Sequence, residues 1–281
     1  MRIIKKAGYY YLKYSYRENN KVITKEKYLG KTLNNLEKAR KELVKENRLS
    51  MYAKLKKIKL SFQKEWKRYP ESAKQREKEE IAIAFTYNTN AIEGSTITLE
   101  EAREIIIDKT APNKSLKDIR ETEMHSKIFL EMLDKKQLIS KELLLYWHKE
   151  IFGETKPDIA GRFRDFLVRV GSYIAPDWQD VEDLMKNLFK YLNESKLNLN
   201  PVELAARAHY KFEMVHPFGD GNGRIGRLIM NHILWHNNYP MLIIEYKKRR
   251  TYYKALQRDE DGFTNYFLRR YLAVHKKRII N

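Results

Sequence analysis

The feature that most restricts the fold of this chain is a glycine-rich loop placed between two helical patterns. Pro201 starts the amphipathic run PVELAARAHYKFEMV, which leads directly into HPFGDGNGR, residues 216–224. Those nine residues contain three of the chain's eleven glycines. Apolar residues then return at helical spacing at Ile225, Leu228, Ile229, Ile233 and Leu234. The pattern predicts two helices joined by a tight loop, with Gly221–Gly223 at or just before the N-terminus of the second helix.

The rest of the chain is also mostly helical in pattern. Thr98 and Glu101 belong to a capping-box sequence, TLEE, that precedes an apolar run. Pro70 separates the first two helical segments, because proline disfavours helical geometry in the residue before it. The segments with helical spacing are approximately Leu36–Lys67, Ser72–Ile92, Leu116–Lys135, Ser140–Phe152 and Trp178–Asn193. The predicted architecture is a mainly α bundle.

Two short β segments interrupt this helical pattern. Residues Gly8–Lys31 are rich in Tyr, Val, Ile and Thr, and Glu18-Asn19-Asn20 is a good turn sequence within them. We predict a small hairpin or meander there, which could bury little by itself. The run FLVRVGSYIAP, residues 166–176, predicts a second small hairpin between two helices.

Composition limits the classes of partner and site. Lys plus Arg outnumber Asp plus Glu by 56 to 37, and the resulting charge of +19 attracts polyanions, although Lys-rich helix surfaces account for much of it. The absence of cysteine excludes disulfides, thiolate nucleophiles and Cys-based metal sites. The chain has no run of eighteen apolar residues, and its N-terminus lacks the features of a signal peptide. We therefore expect a cytoplasmic protein with no membrane partner.

The glycine loop combines groups that suit nucleotide chemistry. Free amides and the positive end of a helix dipole favour a phosphate at Gly221–Gly223. Arg224 and Arg227 can both project from the first turns of that helix toward phosphate oxygens or acidic partners. Asp220 offers a hard oxygen for Mg²⁺, and His216 titrates near neutrality as a base should. Each residue alone has an ordinary structural explanation, but their joint occurrence favours transfer of part of a nucleotide to a hydroxyl.

The segment HPFGDGNGRIGR, His216–Arg227, resembles the signature of the Fic proteins at every specified position. The similarity extends over the second hairpin and the helix VEDLMKNLFKYLN, and covers roughly Thr98–Tyr271. It implies a Fic-fold helical bundle with a small β-hairpin flap. In these terms residues 1–35 form a β-rich extension, 36–97 a helical linker with an inhibitory helix, and 98–281 the catalytic domain.

The resemblance implies a nucleotidyltransferase that moves AMP from ATP to a Ser, Thr or Tyr hydroxyl of a target protein or of itself, with release of pyrophosphate. It implies a general base at His216, a Mg²⁺ ligand at Asp220, a phosphate cradle at Gly221, Asn222 and Gly223, and phosphate contacts at Arg224 and Arg227. Gly223 also argues against the related phosphotransferase toxins, which carry a lysine at that position.

Two further positions follow from the resemblance. Val168–Pro176 resembles the flap whose exposed strand edge pairs with the target polypeptide, with Val170 as the expected contact. The run RRTYYKAL resembles the region that shapes the adenine pocket, with Tyr253 as the stacking ring. An amphipathic packing role for Tyr253 stays open, and Glu260 replaces an Asn that contacts the nucleoside in some relatives, so base selectivity stays open too.

A brake is implied by TNAIEG, Thr89–Gly94, at the end of the second helical segment. It resembles the inhibitory pattern Ser/Thr-x-x-x-Glu-Gly/Asn of many Fic proteins. The resemblance implies that Glu93 pairs with Arg227 and takes that guanidinium from the γ-phosphate of ATP. A carboxylate facing a guanidinium is a strong, charge-assisted pair.

Several alternatives stay open at this stage. The same site could remove AMP or transfer another nucleotide monophosphate, and the sequence does not fix a homo-oligomeric state. Residues 1–35 could bind nucleic acid, because tyrosines and lysines alternate along them. A histidine metal site is disfavoured because His232 and His236 lie on an otherwise apolar segment, which makes them packing or surface residues.

Overall fold

The structure is a computed structural model that describes residues 1–18 and 21–280. The chain divides into two compact units, residues 1–56 and 57–281, and the boundary lies within the first helix, α1 (Leu36–Arg68). Asn19 and Asn20, two of the three residues of the predicted turn, lie outside the described residues.

The N-terminal unit is a three-stranded antiparallel meander packed on the first part of α1. Its strands are β1 (Arg2–Lys6), β2 (Tyr9–Glu18) and β3 (Lys21–Gly30), in the order β1-β2-β3. Buried side chains from both layers form one small core, made of Leu12, Leu29, Ala39 and Leu43. The predicted β segment is therefore confirmed as a meander, and it gains its core from the helix.

The second unit is the predicted mainly α bundle. After α1 its α-helices are α2 (Glu71–Ile92), α3 (Leu99–Arg103), α4 (Leu116–Asp134), α5 (Lys141–Phe152), α6 (Val181–Ser195), α7 (Pro201–Val215), α8 (Asn222–His236), α9 (Arg249–Leu256), α10 (Glu260–Val274) and α11 (Lys277–Ile280). The predicted second hairpin is present as β4 (Arg169–Val170) paired with β5 (Tyr173–Ile174).

Helix α8 lies in the middle of this bundle. Its residues from Asn222 to Leu234 are all buried except Gly223, which is half-buried. A helix that is buried on every side must satisfy its polar side chains inside the protein, and α8 begins with two arginines in its first two turns. The functional site forms around those first turns.

Two predicted helices differ in detail from the expectation. The capping box of Thr98 and Glu101 is present, but α3 continues after five residues as a π-helical turn, Glu104–Asp108, that ends at the left-handed residue Lys109. The helix predicted from Trp178 begins as a 3-10 turn, Trp178–Asp180, before α6. Within the described part of the chain, no helix combines the length and apolar character needed to cross a membrane.

Candidate active site

The loop between α7 and α8 is fixed at both ends by left-handed residues. His216 ends α7 with φ 52°, and Gly221 precedes α8 with φ 78°. A β-carbon at Gly221 would collide with the ring of Phe152, so both the dihedral angle and the packing require glycine. The Asn222 amide closes the loop, because its Oδ1 accepts from Phe218 N at 2.8 Å and its Nδ2 donates to Phe218 O at 2.8 Å. Only the backbone of Asn222 is thus left for a phosphate.

His148 of α5 packs against the loop between α7 and α8, and the sequence analysis did not predict this contact. Its ring stacks on Phe218 with centroids 3.9 Å apart. Gly161 N donates to His148 Nδ1 at 3.0 Å, so His148 Nε2 carries the proton and donates to Asp220 O at 3.0 Å. Burial lowers the pKa of His148 to about 4, which keeps the ring neutral. His148 therefore orients the loop without adding charge.

Asp220 faces outward from the loop as an ionised carboxylate. Its Oδ1 accepts from Gly221 N at 2.6 Å, and its Oδ2 lies 2.7 Å from Lys156 Nζ. Burial would raise the pKa of Asp220, but the Lys156 ammonium and the neighbouring Arg224 charge outweigh burial and leave the pKa below its usual value. The side chain is 54% exposed, so it can reach a ligand in solvent.

Arg224 is paired inside the bundle with Glu121 of α4. Both side chains are almost fully buried, at 5% and 6% exposure. Glu121 also accepts from Thr155 Oγ1 at 2.9 Å and lies 3.1 Å from Lys156 Nζ. The carboxylate is thus shared by two cations and a hydroxyl, and these contacts keep the Glu121 pKa low although its burial works the other way.

Arg227 is held by the end of α2. Its Nε donates to Thr89 Oγ1 at 2.6 Å, and its Nη2 lies 3.2 Å from Thr89 O and 2.5 Å from Glu93 Oε1. Arg227 is 1% exposed, whereas Glu93 is 31% exposed. A β-carbon at Gly223 would collide with Glu93 Oε1, so the carboxylate lies directly beside the start of α8. The other terminal nitrogen of Arg227, Nη1, has no hydrogen-bond partner among the described residues.

His216 is oriented and neutral. Its Nδ1 lies 3.3 Å from Glu213 O, and a carbonyl can only accept, so Nδ1 carries the proton and Nε2 keeps its lone pair. Burial lowers the pKa of His216, and only part of that effect is offset by the same hydrogen bond. A neutral imidazole with a fixed tautomer is the form that a general base requires.

Glu213 lies behind His216 as a fully buried carboxyl group. Its Oε2 is 3.9 Å from His216 Nδ1, its Oε1 is 3.9 Å from His209 Nδ1, and Oε1 has no hydrogen-bond partner among the described residues. Burial raises the pKa of Glu213 to about 8, against an opposing effect of Arg227. Glu213 is therefore predominantly neutral at pH 7.

Arg164 connects the β4–β5 hairpin to the loop between α7 and α8, and the sequence analysis did not predict this role. It donates from Nε to His216 O at 2.8 Å, from Nη1 to Phe166 O at 2.9 Å and from Nη2 to Pro176 O at 2.7 Å. Phe166 and Pro176 flank the β4–β5 hairpin, and Arg164 is 4% exposed. One guanidinium thus fixes both ends of the hairpin relative to His216.

Several remaining predictions can be located in the structure. Tyr253 donates to Ile92 O at 3.2 Å and is partly exposed, and Val170 is exposed on β4; their predicted roles in adenine and target binding stay predictions. His232 and His236 bind the carbonyl groups of Gln137 and Met132 at 2.8 and 2.7 Å, as expected for packing residues. Across residues 1–18 and 21–280, no three His, Cys, Asp or Glu side chains gather as a metal site would require.

The fold and the site define a class of protein: a mainly α bundle in which a neutral histidine and a glycine-rich loop precede a buried helix. Residues 138–234 match the family model described as Fic/DOC family. A solved segment of Fic-1 from C. elegans is 30% identical with a TM-score of 0.70, over 85% of this chain and 73% of that one. The chain belongs to the Fic family.

Curated relatives agree with that assignment. A "Protein adenylyltransferase Fic" from Nematostella vectensis is 35% identical over 197 residues, which are 68% of this chain and 46% of that protein. The protein of the same name from Culex quinquefasciatus is 36% identical over 200 residues, which are 69% of this chain and 40% of that protein. The chain thus spans less than half the length of these relatives.

Proposed function

We propose that this protein transfers AMP from ATP to a hydroxyl side chain of a target protein or of itself. One observation carries the proposal: the Glu93 carboxylate contacts the guanidinium of Arg227, lies beside Gly223 at the start of α8, and is near enough to the neutral His216 to act on its pKa. A group that accepts one anion at a helix N-terminus is suited to accept a phosphate there. The name shared by the curated relatives supports the same reaction.

The proposed step balances as a displacement at the α-phosphorus of ATP. His216 Nε2 removes the proton of the target hydroxyl, and that oxygen forms a bond to the α-phosphorus. The bond between the α-phosphorus and the bridging oxygen breaks, and pyrophosphate leaves. Backbone amides of Gly221, Asn222 and Gly223, together with Arg224 and Arg227, would carry the negative charge of the phosphates.

Asp220 fits the Mg²⁺ that this reaction implies. It is an exposed, ionised oxygen donor beside the anion site, and Mg²⁺ in nucleotide sites is commonly held by one or two carboxylates plus phosphate oxygens and water. Lys156 would have to release Oδ2 for the carboxylate to bind the ion. When bound, the ion would neutralise part of the charge on the phosphates.

Autoinhibition by Glu93 is part of the same proposal. The Glu93 carboxylate contacts Arg227 and lies against Gly223, where a phosphate of ATP would otherwise lie. Two anions cannot share one guanidinium and one helix terminus without repulsion. The productive pose of ATP therefore requires Glu93 to leave, and residues 36–97 would act as the inhibitory segment of the catalytic region 98–281.

The flap and the adenine pocket complete the proposal. The exposed edge at Val170 would pair with the target backbone, and Arg164 would keep that edge aligned with His216. Tyr253 would stack on the base, although it now contacts the end of α2. Binding of ATP would then couple to the position of Glu93 through Ile92.

The test is transfer of label from α-³²P-ATP in the presence of Mg²⁺, read by autoradiography of protein gels. We expect stronger labelling of Glu93→Gly than of wild type, and none when His216→Ala is added. Parallel reactions with labelled GTP, CTP and UTP would identify another transferred nucleotide. Absence of label from every nucleotide, with ATP binding intact and cell lysate supplied as target, would contradict transfer and favour the reverse reaction, removal of AMP.

A further inference from the structure

The N-terminal meander has two faces with different chemistry. Side chains alternate across a strand, so the face that carries Leu12 and Leu29 is the one packed on α1. Lysines of the same face, Lys25 and Lys27, form ion pairs with Glu46 and Glu42 of α1. The helix therefore covers the centre of this inner face.

The outer face carries a tyrosine cluster. Tyr28 lies opposite Tyr11 in the strand register, with ring centroids 5.4 Å apart, and Tyr9 lies 5.7 Å from Tyr28. Tyr28 is 57% exposed, while Tyr9 and Tyr11 are half-buried beside it. The ring of Tyr28 thus projects into solvent and packs against the rings of its two neighbours.

Positive charges surround this cluster. Lys6 lies 5.7 Å from the ring of Tyr11, and Lys31 lies 5.8 Å from the ring of Tyr9. Lys13 is on the same face, 3.8 Å from the carboxylate of Glu26, which also pairs with Lys6. Arg2 lies opposite Lys13 in the strand register, so it belongs to this face too. Among the described side chains the outer face thus carries Arg2, Lys6 and Lys13 against Glu26, which makes it basic.

We propose that this outer face binds single-stranded nucleic acid. An exposed aromatic ring stacks on any unpaired base, and lysines spaced around it contact the phosphates of a strand that crosses the sheet. In a duplex the bases are stacked on each other, so a ring on a flat sheet could not reach their faces. A ligand that matches this face must offer negative charges to the lysines and flat rings to Tyr28. An acidic peptide offers the charges without the rings, whereas a single-stranded nucleic acid offers both. The proposal is independent of AMP transfer.

The test uses the full-length protein and fluorescein-labelled oligonucleotides of one mixed sequence, as single-stranded DNA, single-stranded RNA and duplex DNA. Anisotropy should give tighter binding to a single strand than to the duplex, with an affinity that falls steeply as salt rises. Tyr28→Ala should weaken binding roughly tenfold, since one stacked base contributes about 1–3 kcal/mol. Tyr28→Phe, which keeps the ring, should bind as wild type does.

Two further variants separate stacking from general charge. Tyr146→Ala removes an exposed ring of α5 and should leave binding unchanged. Glu26→Gln should tighten binding and steepen the salt dependence, because Lys6 and Lys13 lose their carboxylate. Equal affinities of Tyr28→Ala and Tyr146→Ala, or preference for the duplex, would overturn the proposal. AMP labelling of Glu93→Gly should be the same with and without Tyr28→Ala, so failure of either proposal is recognised separately.

Discussion

Arg224 and Arg227 lie three residues apart at the start of one helix, yet their carboxylate partners lie in opposite environments. Glu121, the partner of Arg224, is 6% exposed and is also bound by Lys156 and Thr155. Glu93, the partner of Arg227, is 31% exposed and directly follows the last residue of α2. The first pair is almost fully buried, whereas the carboxylate of the second is partly accessible to solvent.

This difference in exposure indicates which of the two ion pairs could open to bind a ligand. Breaking an enclosed pair leaves a buried charge with nothing to replace its partner, and the cost is about 3–5 kcal/mol. Breaking the Arg227–Glu93 pair would let a phosphate take the place of the Glu93 carboxylate. Binding of that phosphate would then recover the free energy lost when the pair breaks. In the proposed function Arg224 would therefore contact the phosphates while it keeps Glu121, whereas Arg227 would exchange Glu93 for a phosphate.

The largest effect is expected from Glu121→Gln. It leaves Arg224 and Lys156 without their shared carboxylate, and we expect unfolding free energy to fall by about 3–5 kcal/mol. Urea denaturation followed by circular dichroism measures this loss. The matched control is Glu154→Gln, an exposed partner of Arg120, which should change stability by less than about 1 kcal/mol. Equal stabilities of Glu121→Gln and Glu154→Gln would refute the claim that burial makes the Arg224–Glu121 pair costly to break.

The next effect concerns Glu213, a third carboxyl near Arg227 that is buried and neutral. Its pKa is about 8 in the folded protein against the ordinary value of 4.5, so between these pH values the folded state holds a proton that the unfolded chain has lost. The contribution of this group to stability should consequently fall as pH rises from about 5 to 8, by up to about 1.4 kcal/mol per pH unit. Buried histidines such as His148 and His216, whose pKa values burial lowers, contribute the opposite slope in the acid part of that window. The slope of stability against pH should therefore be more positive in Glu213→Gln than in wild type when urea titrations of the two are compared. An unchanged slope would mean that the carboxyl is ionised in the fold.

A smaller effect is expected from Glu93→Gln. Arg227 keeps its Thr89 contacts, so we expect a loss of roughly 1–2 kcal/mol. The decisive measurement is the thermal shift produced by saturating ATP, which should be larger in Glu93→Gln than in wild type. ATP should not restore the stability lost in Glu121→Gln. If ATP stabilised wild type and Glu93→Gln equally, the two anions would not be competing for Arg227.

The smallest change in stability is expected from Arg164→Lys. Arg164 is a third buried guanidinium, and it binds carbonyl groups instead of a carboxylate. An ammonium cannot serve the carbonyls of His216, Phe166 and Pro176 with one planar fork. We expect a loss of about 1 kcal/mol in stability. In the Glu93→Gly background we expect a roughly tenfold lower rate of labelling with unchanged ATP affinity. A matching fall in ATP affinity would assign Arg164 to nucleotide binding.

Much of the fold was predictable because its signals are local. The capping box of Thr98, the proline before α2 and the glycines before α8 act within one turn of the chain, and each lies where the pattern placed it. The π-helical turn after α3 was not predictable, because Ile105 and Ile106 follow the packing of the surrounding core and not a local propensity. Local signals thus set where these helices begin, whereas the end of α3 depends on the surrounding core.

The sequence by itself predicted the chemistry of the loop, His216–Arg227, from residue type and spacing, since a histidine, three glycines and two arginines adjoin one helix start. The carboxylate at Glu93 was implied by the resemblance of Thr89–Gly94 to the inhibitory pattern of Fic proteins. Tertiary structure alone decided which groups surround them. Glu121 lies 103 residues from Arg224 and Arg164 lies 52 residues from His216, and no local pattern marks either one. Their roles arise from burial, because a guanidinium taken out of water must find its partners wherever the fold places them.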